Sequence, residues 1–165
     1  MISTGGSGGH VIPAIILNDH LSERNEVVIV SDKRGLKYLD SKNYRIEIID
    51  TPKLNNIFMI PFNLIIIFLL TIKSYFLLKR QKINIVFSTG GYMSLPLILA
   101  GKFLNLKIYL LEPNLVIGRA NIFFLKFCKK IFCYNQNLKN FPEIFNQKKV
   151  IISPLVRKEF YGNKL

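Results

Sequence analysis

Short apolar runs alternate with longer helical segments along the chain. The runs predicted as strands are bounded by polar or turn-forming residues and lie at 26–32, 44–50, 83–92, 107–114, 129–135 and 148–153. The helical segments between them lie near 11–23, 63–80, 95–104 and 119–127. Strands that alternate with helices are typical of a parallel sheet covered on both faces. The pattern therefore predicts one α/β domain over residues 1–165.

Polar residues and glycines follow several of the predicted strands. In open α/β sheets, ligands bind outside the carboxyl ends of the strands. The strand exits read Gly5-Gly6-Ser7-Gly8-Gly9-His10, Ser31-Asp32, Thr89-Gly90-Gly91-Tyr92 and Glu112-Pro113-Asn114. We call Gly5–Gly9 the first glycine turn and Thr89–Tyr92 the second. We expect both turns and the Glu/Asn pair to converge on one crevice.

The first glycine turn is predicted to join a short strand, about Met1–Ser3, to a helix. Pro13 is expected in the first turn of that helix, where a missing N–H is tolerated. Such a turn exposes backbone N–H groups beside a positive helix end, which suits an anionic or polar ligand. A flexible linker is the alternative. The sequence matches neither the dinucleotide fingerprint nor the P-loop.

The segment Ile57–Arg80 is apolar enough in composition to contact a membrane. Pro61 and Asn63 limit its clean apolar run to Leu64–Ile72, which is shorter than the roughly 20 residues of a membrane span. A surface helix dipping into one leaflet is favoured over a core helix and over a span. Its expected membrane contacts are Phe62, Leu64, Ile65, Phe68, Lys73, Lys79 and Arg80.

Charge is unevenly distributed along the chain. The formal net charge is +13, and no Asp or Glu lies between Thr51 and Leu111. A basic field of this kind attracts an anionic membrane or nucleic acid, although it can also serve solubility alone. No nucleic-acid-binding motif is recognisable, so no nucleic acid partner is expected.

Cys128 and Cys133 do not form a metal-ligand set, because no His or second Cys pair lies nearby. We interpret them as buried thiols in a reducing compartment. No carboxylate cluster suggests a metal site, and no cofactor is expected. No secretory signal precedes the first glycine turn, so a cytoplasmic location is expected.

Four segments resemble signatures of the MurG family of glycosyltransferases. The first glycine turn, continued through His10 to Ala14, resembles the family's GGTGGHxxPA signature. The second glycine turn, continued to Pro96, resembles its GGYVSGP turn. The remaining two, Leu111–Asn114 with Gly118 and Asn121, and Ile152–Arg157, resemble its HEQN…G..N and GNPVR segments. The matches run in family order and cover nearly all of the chain.

The resemblance implies a Rossmann-like parallel sheet that forms the N-terminal, acceptor-side half of a GT-B glycosyltransferase. The family transfers N-acetylglucosamine from UDP-N-acetylglucosamine (UDP-GlcNAc) to lipid I, the polyprenyl-pyrophosphate-linked MurNAc-pentapeptide, and makes lipid II for peptidoglycan. It implies an inverting, metal-independent displacement at the cytoplasmic face of the bacterial inner membrane. The C-terminal donor-binding domain is expected to be absent from this chain and supplied in cis or in trans.

Individual site residues follow from the resemblance. His10 would be the general base on the acceptor hydroxyl, which suits an imidazole because it can take a proton at neutral pH. From the spacing alone, a helix-cap or structural role for His10 is equally open. The expected substrate-binding residues are Ser7, Gly8, Gly9, Gly90, Gly91, Tyr92, Asn114 and Arg157.

The chain also departs from the family pattern. Leu111 and Pro113 replace the His and Gln of HEQN, and Pro154 and Leu155 replace the Asn and Pro of GNPVR. Because a GT-B site lies between two domains, little transferase activity is expected from this chain alone. The alternative function is a non-catalytic membrane adaptor that recruits a separate donor-binding chain.

Overall fold

The computed structural model describes residues 1–39, 43–52 and 57–158. Within them a single parallel sheet has the strand order β3-β2-β1-β4-β5-β6-β7. Its strands are β1 (Ile2–Ser3), β2 (Ile29–Ser31), β3 (Ile46–Ile48), β4 (Ile85–Ser88), β5 (Lys107–Glu112), β6 (Lys130–Cys133) and β7 (Lys149–Ile151). The α/β fold predicted from the alternation of apolar runs is confirmed.

Helices connect most of these strands. They are α1 (Gly8–Leu21), α2 (Ile60–Arg80), α3 (Leu95–Phe103) and α4 (Arg119–Phe124). Short 3-10 helices, which the sequence pattern did not predict, lie at Gly35–Tyr38, Ile57–Met59, Tyr92–Ser94 and Glu143–Lys148. The prediction for Pro13 is wrong: α1 begins at Gly8, so Pro13 lies inside the helix and removes one bond of its ladder.

The strand order reverses on either side of β1. From β1 the chain builds outward to β2 and β3, and then returns past β1 to add β4 to β7 on the other side. The order reverses between β1 and β4. In doubly wound sheets the ligand crevice lies at this switch point, beyond the carboxyl ends of the two strands that flank it. The first glycine turn follows β1 and the second follows β4, so the topology places both beside the crevice.

The core lies mainly between the sheet and the helices α2, α3 and α4. Alternate residues of the central strands point into it, among them Val86, Ile108 and Ile131, each at most 1% exposed. Residues of the helices complete the cluster: Leu77, Leu78, Leu97, Ile98, Phe124 and Leu125. Burial of this apolar surface is the main stabilising contribution to the fold.

The helix α2 presents an unusual pattern of burial. It begins at Ile60 with Pro61 in its first turn, three residues before the start predicted near residue 63. Its buried residues include Asn63, Thr71 and Ser74. The hydroxyls of Thr71 and Ser74 donate to carbonyls one turn back, at 2.8 and 2.7 Å, which satisfies them inside the domain.

The outward face of α2 is apolar. Its large exposed hydrophobic residues are Phe62, Leu64, Ile65, Phe68, Leu69, Ile72 and Phe76, each 41–65% exposed. Of the helices in the described residues, α2 is the one that is long and apolar enough, by length and composition, to cross a membrane. One face of α2 packs on the domain, however, so only the other face is free to meet a bilayer. This arrangement argues against the core-helix alternative.

Candidate functional site

His10 lies in the first turn of α1, immediately after the first glycine turn. Its Nδ1 is 2.8 Å from the carbonyl oxygen of Thr89, at the start of the second glycine turn. A carbonyl only accepts hydrogen bonds, so Nδ1 carries the proton in the neutral ring. The lone pair therefore resides on Nε2, which is the atom that can accept a proton.

Glycine is required in the second turn because the His10 ring packs against its backbone. Gly90 has φ +97° and Gly91 has φ +86°, which are left-handed conformations that glycine adopts readily. A Cβ on Gly90 would lie 3.2 Å from Cε1 of His10 and 3.1 Å from Nδ2 of Asn121. The structure thus brings His10, Gly90 and Asn121 together.

Buried hydroxyls hold the two turns at their strand ends. Ser94 Oγ accepts hydrogen bonds from Ser3 Oγ at 3.0 Å and from Ser88 Oγ at 2.9 Å. Thr89 Oγ1 donates to Thr4 Oγ1 at 2.9 Å. These bonds join β1 and β4 at the switch point. Sequence reasoning missed the two bonds that cross between the strands, because no local pattern pairs hydroxyls 91 and 85 positions apart.

Asp32, at the end of β2, is fully buried and binds the first glycine turn. Its Oδ1 accepts the N–H of Gly6 at 2.8 Å and that of Gly35 at 3.0 Å. Its Oδ2 forms an ion pair with Arg34, with contacts of 2.7 Å from Nε and 2.6 Å from Nη2. Arg34 also donates to the hydroxyl of Tyr92.

The phenol of Tyr92 is influenced by both burial and charge. Partial burial raises the pKa of Tyr92 above its ordinary value, and the Arg34 guanidinium opposes that shift by favouring the phenolate. The pKa of Arg34 is lowered by desolvation and raised by its bonds to Asp32, with a net increase. Arg34 therefore stays charged, and Tyr92 stays protonated at neutral pH.

Glu112 is 1% exposed and organises the loop that follows β5. Its Oε1 accepts bonds from the amide nitrogen of Asn114 at 3.2 Å and from Nδ2 of Asn114 at 2.8 Å. Its Oε2 accepts from Gly118 N–H at 2.8 Å and from Asn121 Nδ2 at 3.0 Å. The carboxylate is thus committed to the loop, and it fixes the side-chain amide of the exposed Asn114.

The predicted substrate-binding residues occupy two places. Ser7, Gly8 and Gly9 lie at the start of α1, and Asn114 is linked to the second turn through Glu112 and Asn121. Arg157 is exposed, and its chain neighbours make contacts at the opposite end of α1 from the first glycine turn. Its neighbours Val156 and Lys158 contact His20 and Glu23 at the far end of α1, about ten residues and roughly 15 Å of helix from His10.

The predicted membrane-contact residues share one surface. Phe62, Leu64, Ile65 and Phe68 are all more than half exposed. Lys73 Nζ donates to the carbonyl of Ile48 at 3.4 Å, and Arg80 Nη2 lies 3.6 Å from Oε1 of Glu47. Lys79 Nζ lies 5.7 Å from the centre of the Tyr75 ring. These cations border the apolar face of α2. We call this face, with the neighbouring Phe58 and Phe103, the apolar patch; both phenylalanines are at least 73% exposed.

Among the described residues, no group of three or more His, Cys, Asp or Glu side chains could hold a metal ion. The two cysteines are free and buried, as expected. Burial raises the pKa of both thiols to about 11. The groups that surround the two turns are backbone amides, one imidazole, hydroxyls, side-chain amides, the Arg34 guanidinium and the buried carboxylates of Asp32 and Glu112.

A doubly wound sheet, glycine turns at its switch point and a histidine beside them agree with the family that the sequence matches. Residues 1–133 match the N-terminal domain of glycosyltransferase family 28. The chain belongs to this family.

Similarity to curated relatives is more specific than the family match. The chain is 47% identical over 165 residues to the UDP-N-acetylglucosamine--N-acetylmuramyl-(pentapeptide) pyrophosphoryl-undecaprenol N-acetylglucosamine transferase of Pelagibacter ubique, covering 99% of this chain and 46% of that protein. It is 34% identical over 160 residues to the protein of the same name from Rickettsia felis, covering 96% and 44%. The chain thus spans just under half the length of these relatives.

Solved structures agree with this assignment. Acinetobacter baumannii MurG matches with a TM-score of 0.76 and 26% identity, over 99% of this chain and 48% of that one. A UDP-GlcNAc 2-epimerase from Methanocaldococcus jannaschii matches with a TM-score of 0.64 and 15% identity, over 92% and 44%, which supports the fold alone. The resemblance inferred from the glycine turns is confirmed.

Proposed function

We propose that this chain is the acceptor-side half of an N-acetylglucosaminyltransferase that transfers N-acetylglucosamine from UDP-GlcNAc to lipid I. The observation that carries the proposal is the position of His10, whose ring packs against the second glycine turn with Nδ1 held by the Thr89 carbonyl, which leaves Nε2 as the unprotonated nitrogen. The 47% identity to the Pelagibacter ubique transferase supports the same reaction. A donor-binding domain, in cis or in trans, would complete the cleft.

His10 acts as the general base in this proposal. The Thr89 carbonyl holds Nδ1–H, so Nε2 can take the proton of the acceptor hydroxyl as that oxygen attacks the anomeric carbon. Attack from the face opposite the leaving UDP inverts the configuration at that carbon. The proton ends on His10, and the bond between sugar and phosphate breaks.

The glycine turns supply electrostatic stabilisation. No acidic residue lies in the first turn of α1, so the positive end of this helix is uncompensated there. The backbone N–H groups of Gly8 and Gly9 can approach a sugar phosphate closely, because these residues have no side chain, whereas the N–H of Ser7 donates to the Gly5 carbonyl at 3.1 Å. Preorganised donors of this kind stabilise developing negative charge without a metal ion.

The apolar patch supports a location of the enzyme at the membrane surface. A polyprenyl-linked acceptor remains in the bilayer, so the enzyme must reach it from the membrane surface. The patch is bordered by cations and begins at the N-terminal end of α2, near the strand exits that hold the glycine turns. We propose a peripheral location at the inner leaflet of the bacterial membrane, on its cytoplasmic face.

The test is a transfer assay with residues 1–165 joined to the C-terminal half of the Pelagibacter ubique relative. Labelled N-acetylglucosamine is transferred from UDP-GlcNAc to a lipid I analogue. His10→Gln can still donate a hydrogen bond to the Thr89 carbonyl but has no titratable group, so kcat should fall by about 10²–10⁴-fold.

His20→Ala is the matched control, because His20 lies at the opposite end of the same helix. It should leave kcat within about twofold of the parent value. An active parent with an unimpaired His10→Gln variant would refute the role of His10. A folded parent that binds vesicles but transfers no sugar would instead favour the membrane-adaptor function.

A further inference from the structure

Arg34 connects the two glycine turns. Its Nη2 donates to the Tyr92 hydroxyl of the second turn, and its Nε donates to Asp32 Oδ2 at 2.7 Å. Asp32 in turn accepts the N–H of Gly6, in the first turn, at 2.8 Å. A continuous series of hydrogen bonds therefore runs from one side of the crevice to the other. Nothing in the sequence pattern assigned a role to Arg34.

Each member of this series is itself held in place. Asp32 is completely buried, and a second N–H, that of Gly35, fixes its Oδ1 at 3.0 Å. Nε and Nη2 of the guanidinium both contact the same carboxylate oxygen, Oδ2, while Oδ1 is held by the two backbone N–H groups. Its central carbon also lies 5.4 Å from the centre of the Tyr92 ring, within range of a cation–π contact.

We propose that Arg34 is a positioning residue that holds Tyr92, and with it the second glycine turn, at a fixed separation from the first. It acts through Tyr92 and does not itself contact the reacting atoms. The proposal rests on the proposed function, because the separation of the turns matters only if the substrates bind between them. Direct binding of substrate by Arg34 is the competing outcome, since its side chain is 40% exposed.

A double-mutant cycle in the two-domain chimera separates these outcomes. Arg34→Met and Tyr92→Phe each remove one partner of the same bond, and each should lower kcat/KM for the lipid acceptor by about tenfold. If Arg34 acts through Tyr92, the double variant should lose no more than either single variant. A hundredfold loss in the double variant would mean independent roles and would overturn the proposal.

Two further variants sharpen the cycle. Arg34→Lys keeps the charge but lacks the planar fork, so it should recover only part of the lost activity. Lys37→Met is the matched control: Lys37 is an exposed cation 4.9 Å from the Tyr38 ring, three residues further along the chain. It should leave kcat/KM unchanged. Full recovery by Arg34→Lys would indicate that charge alone suffices and would contradict the positioning role.

A measurement on the chain itself keeps this proposal separate from the proposed function. Amide hydrogen exchange reports on the Gly90 N–H, bonded to Ser88 Oγ at 3.1 Å, and on the Ser94 N–H, bonded to the Gly91 carbonyl at 3.2 Å. Arg34→Met should accelerate both exchange rates about tenfold, while Lys37→Met should not. Unchanged exchange in Arg34→Met would overturn the proposal, whereas an inactive parent chimera would count only against the transferase.

Discussion

Single glycine positions in the two turns differ in what an added methyl group would meet. At Gly90 the backbone is left-handed, and a Cβ would press on the His10 ring and on Asn121. At Gly9, inside α1, a Cβ would meet only Ser7 Oγ at 3.7 Å. The surroundings of Gly90 therefore require glycine, whereas packing does not require glycine at position 9.

This contrast gives a matched pair of variants. Gly90→Ala should lower the free energy of unfolding by about 1–3 kcal/mol, because it combines backbone strain with close contacts. Gly9→Ala should change it little, or raise it by up to about 1 kcal/mol, because alanine favours the helix. Urea denaturation of both variants measures the difference. Equal effects would show that the second turn relaxes freely around His10.

At the residue scale, the sequence named candidate site residues but not the residues that hold them in place. His10, the glycines and Asn114 were named because they lie in contiguous signatures at strand exits. The partners of these residues were not found: Thr89 lies 79 positions from His10, and Arg34 lies 58 positions from Tyr92. Only the sheet topology brings such residues together, so no local spacing could have paired them.

At the scale of one element, α2 combines a buried face of mixed polarity with an apolar exposed face. Ile65 and Phe68 are 59% and 65% exposed in the middle of its outer face. Burial of one such side chain in lipid stabilises binding by about 1.5–3 kcal/mol when complete. The helix is therefore expected to provide much of the binding energy at a membrane surface.

Vesicle sedimentation tests this expectation. Ile65→Glu and Phe68→Glu should each weaken binding to phosphatidylglycerol vesicles by about tenfold or more. Ile144→Glu is the control, because Ile144 is 74% exposed in the 3-10 helix Glu143–Lys148, outside the apolar patch. Neutral phosphatidylcholine vesicles should bind more weakly, since Lys73, Lys79 and Arg80 lose anionic partners. Binding that survives both substitutions on α2 would place the membrane contact elsewhere.

The bounds of α2 show where pattern reasoning fails for an element. The helix was predicted to begin near residue 63, after Pro61, whereas α2 begins at Ile60, because proline is tolerated in a first helical turn. The buried face carries three polar and three apolar residues, Asn63, Thr71, Ser74, Ile67, Leu77 and Leu78, so hydropathy alone does not mark it. Recognising that face requires knowing what α2 packs against.

At the scale of the whole molecule, the two thiols report on the integrity of the sheet. Cys128 and Cys133 are 3% and 0% exposed, and burial raises the pKa of both to about 11. The thiolate is the reactive form, so neither should react with iodoacetamide at about pH 8 while the chain is folded. Both should react in urea.

The same shift fixes a pH dependence. An unfolded thiol ionises near 9 and the folded ones near 11, so the unfolded state releases its protons first. The free energy of unfolding should therefore fall as pH rises from about 9 to about 11. Cys128→Ala and Cys133→Ala should each reduce this slope. Rapid alkylation without denaturant, or a slope that both variants retain, would contradict the burial of these thiols.

The arrangement of the whole sheet was only partly accessible from the sequence. Alternation of strands and helices predicted that the sheet is parallel, because parallel strands need crossover connections. It did not predict that β1 lies in the middle. That position depends on the return of the chain through α2, whose packing no single segment encodes.

The central place of β1 has a consequence for how the molecule folds. Ile2 pairs with Ile29 on one side and with Phe87 on the other, so β1 cannot be enclosed until much of the chain has been ordered. β4, β5 and β6 are joined by shorter connections, which cost less loop-closure entropy. The two halves of the sheet can therefore gain structure separately and meet last along β1. The crevice between the glycine turns lies where the two halves join. The proposed reaction site is therefore complete only when folding is complete.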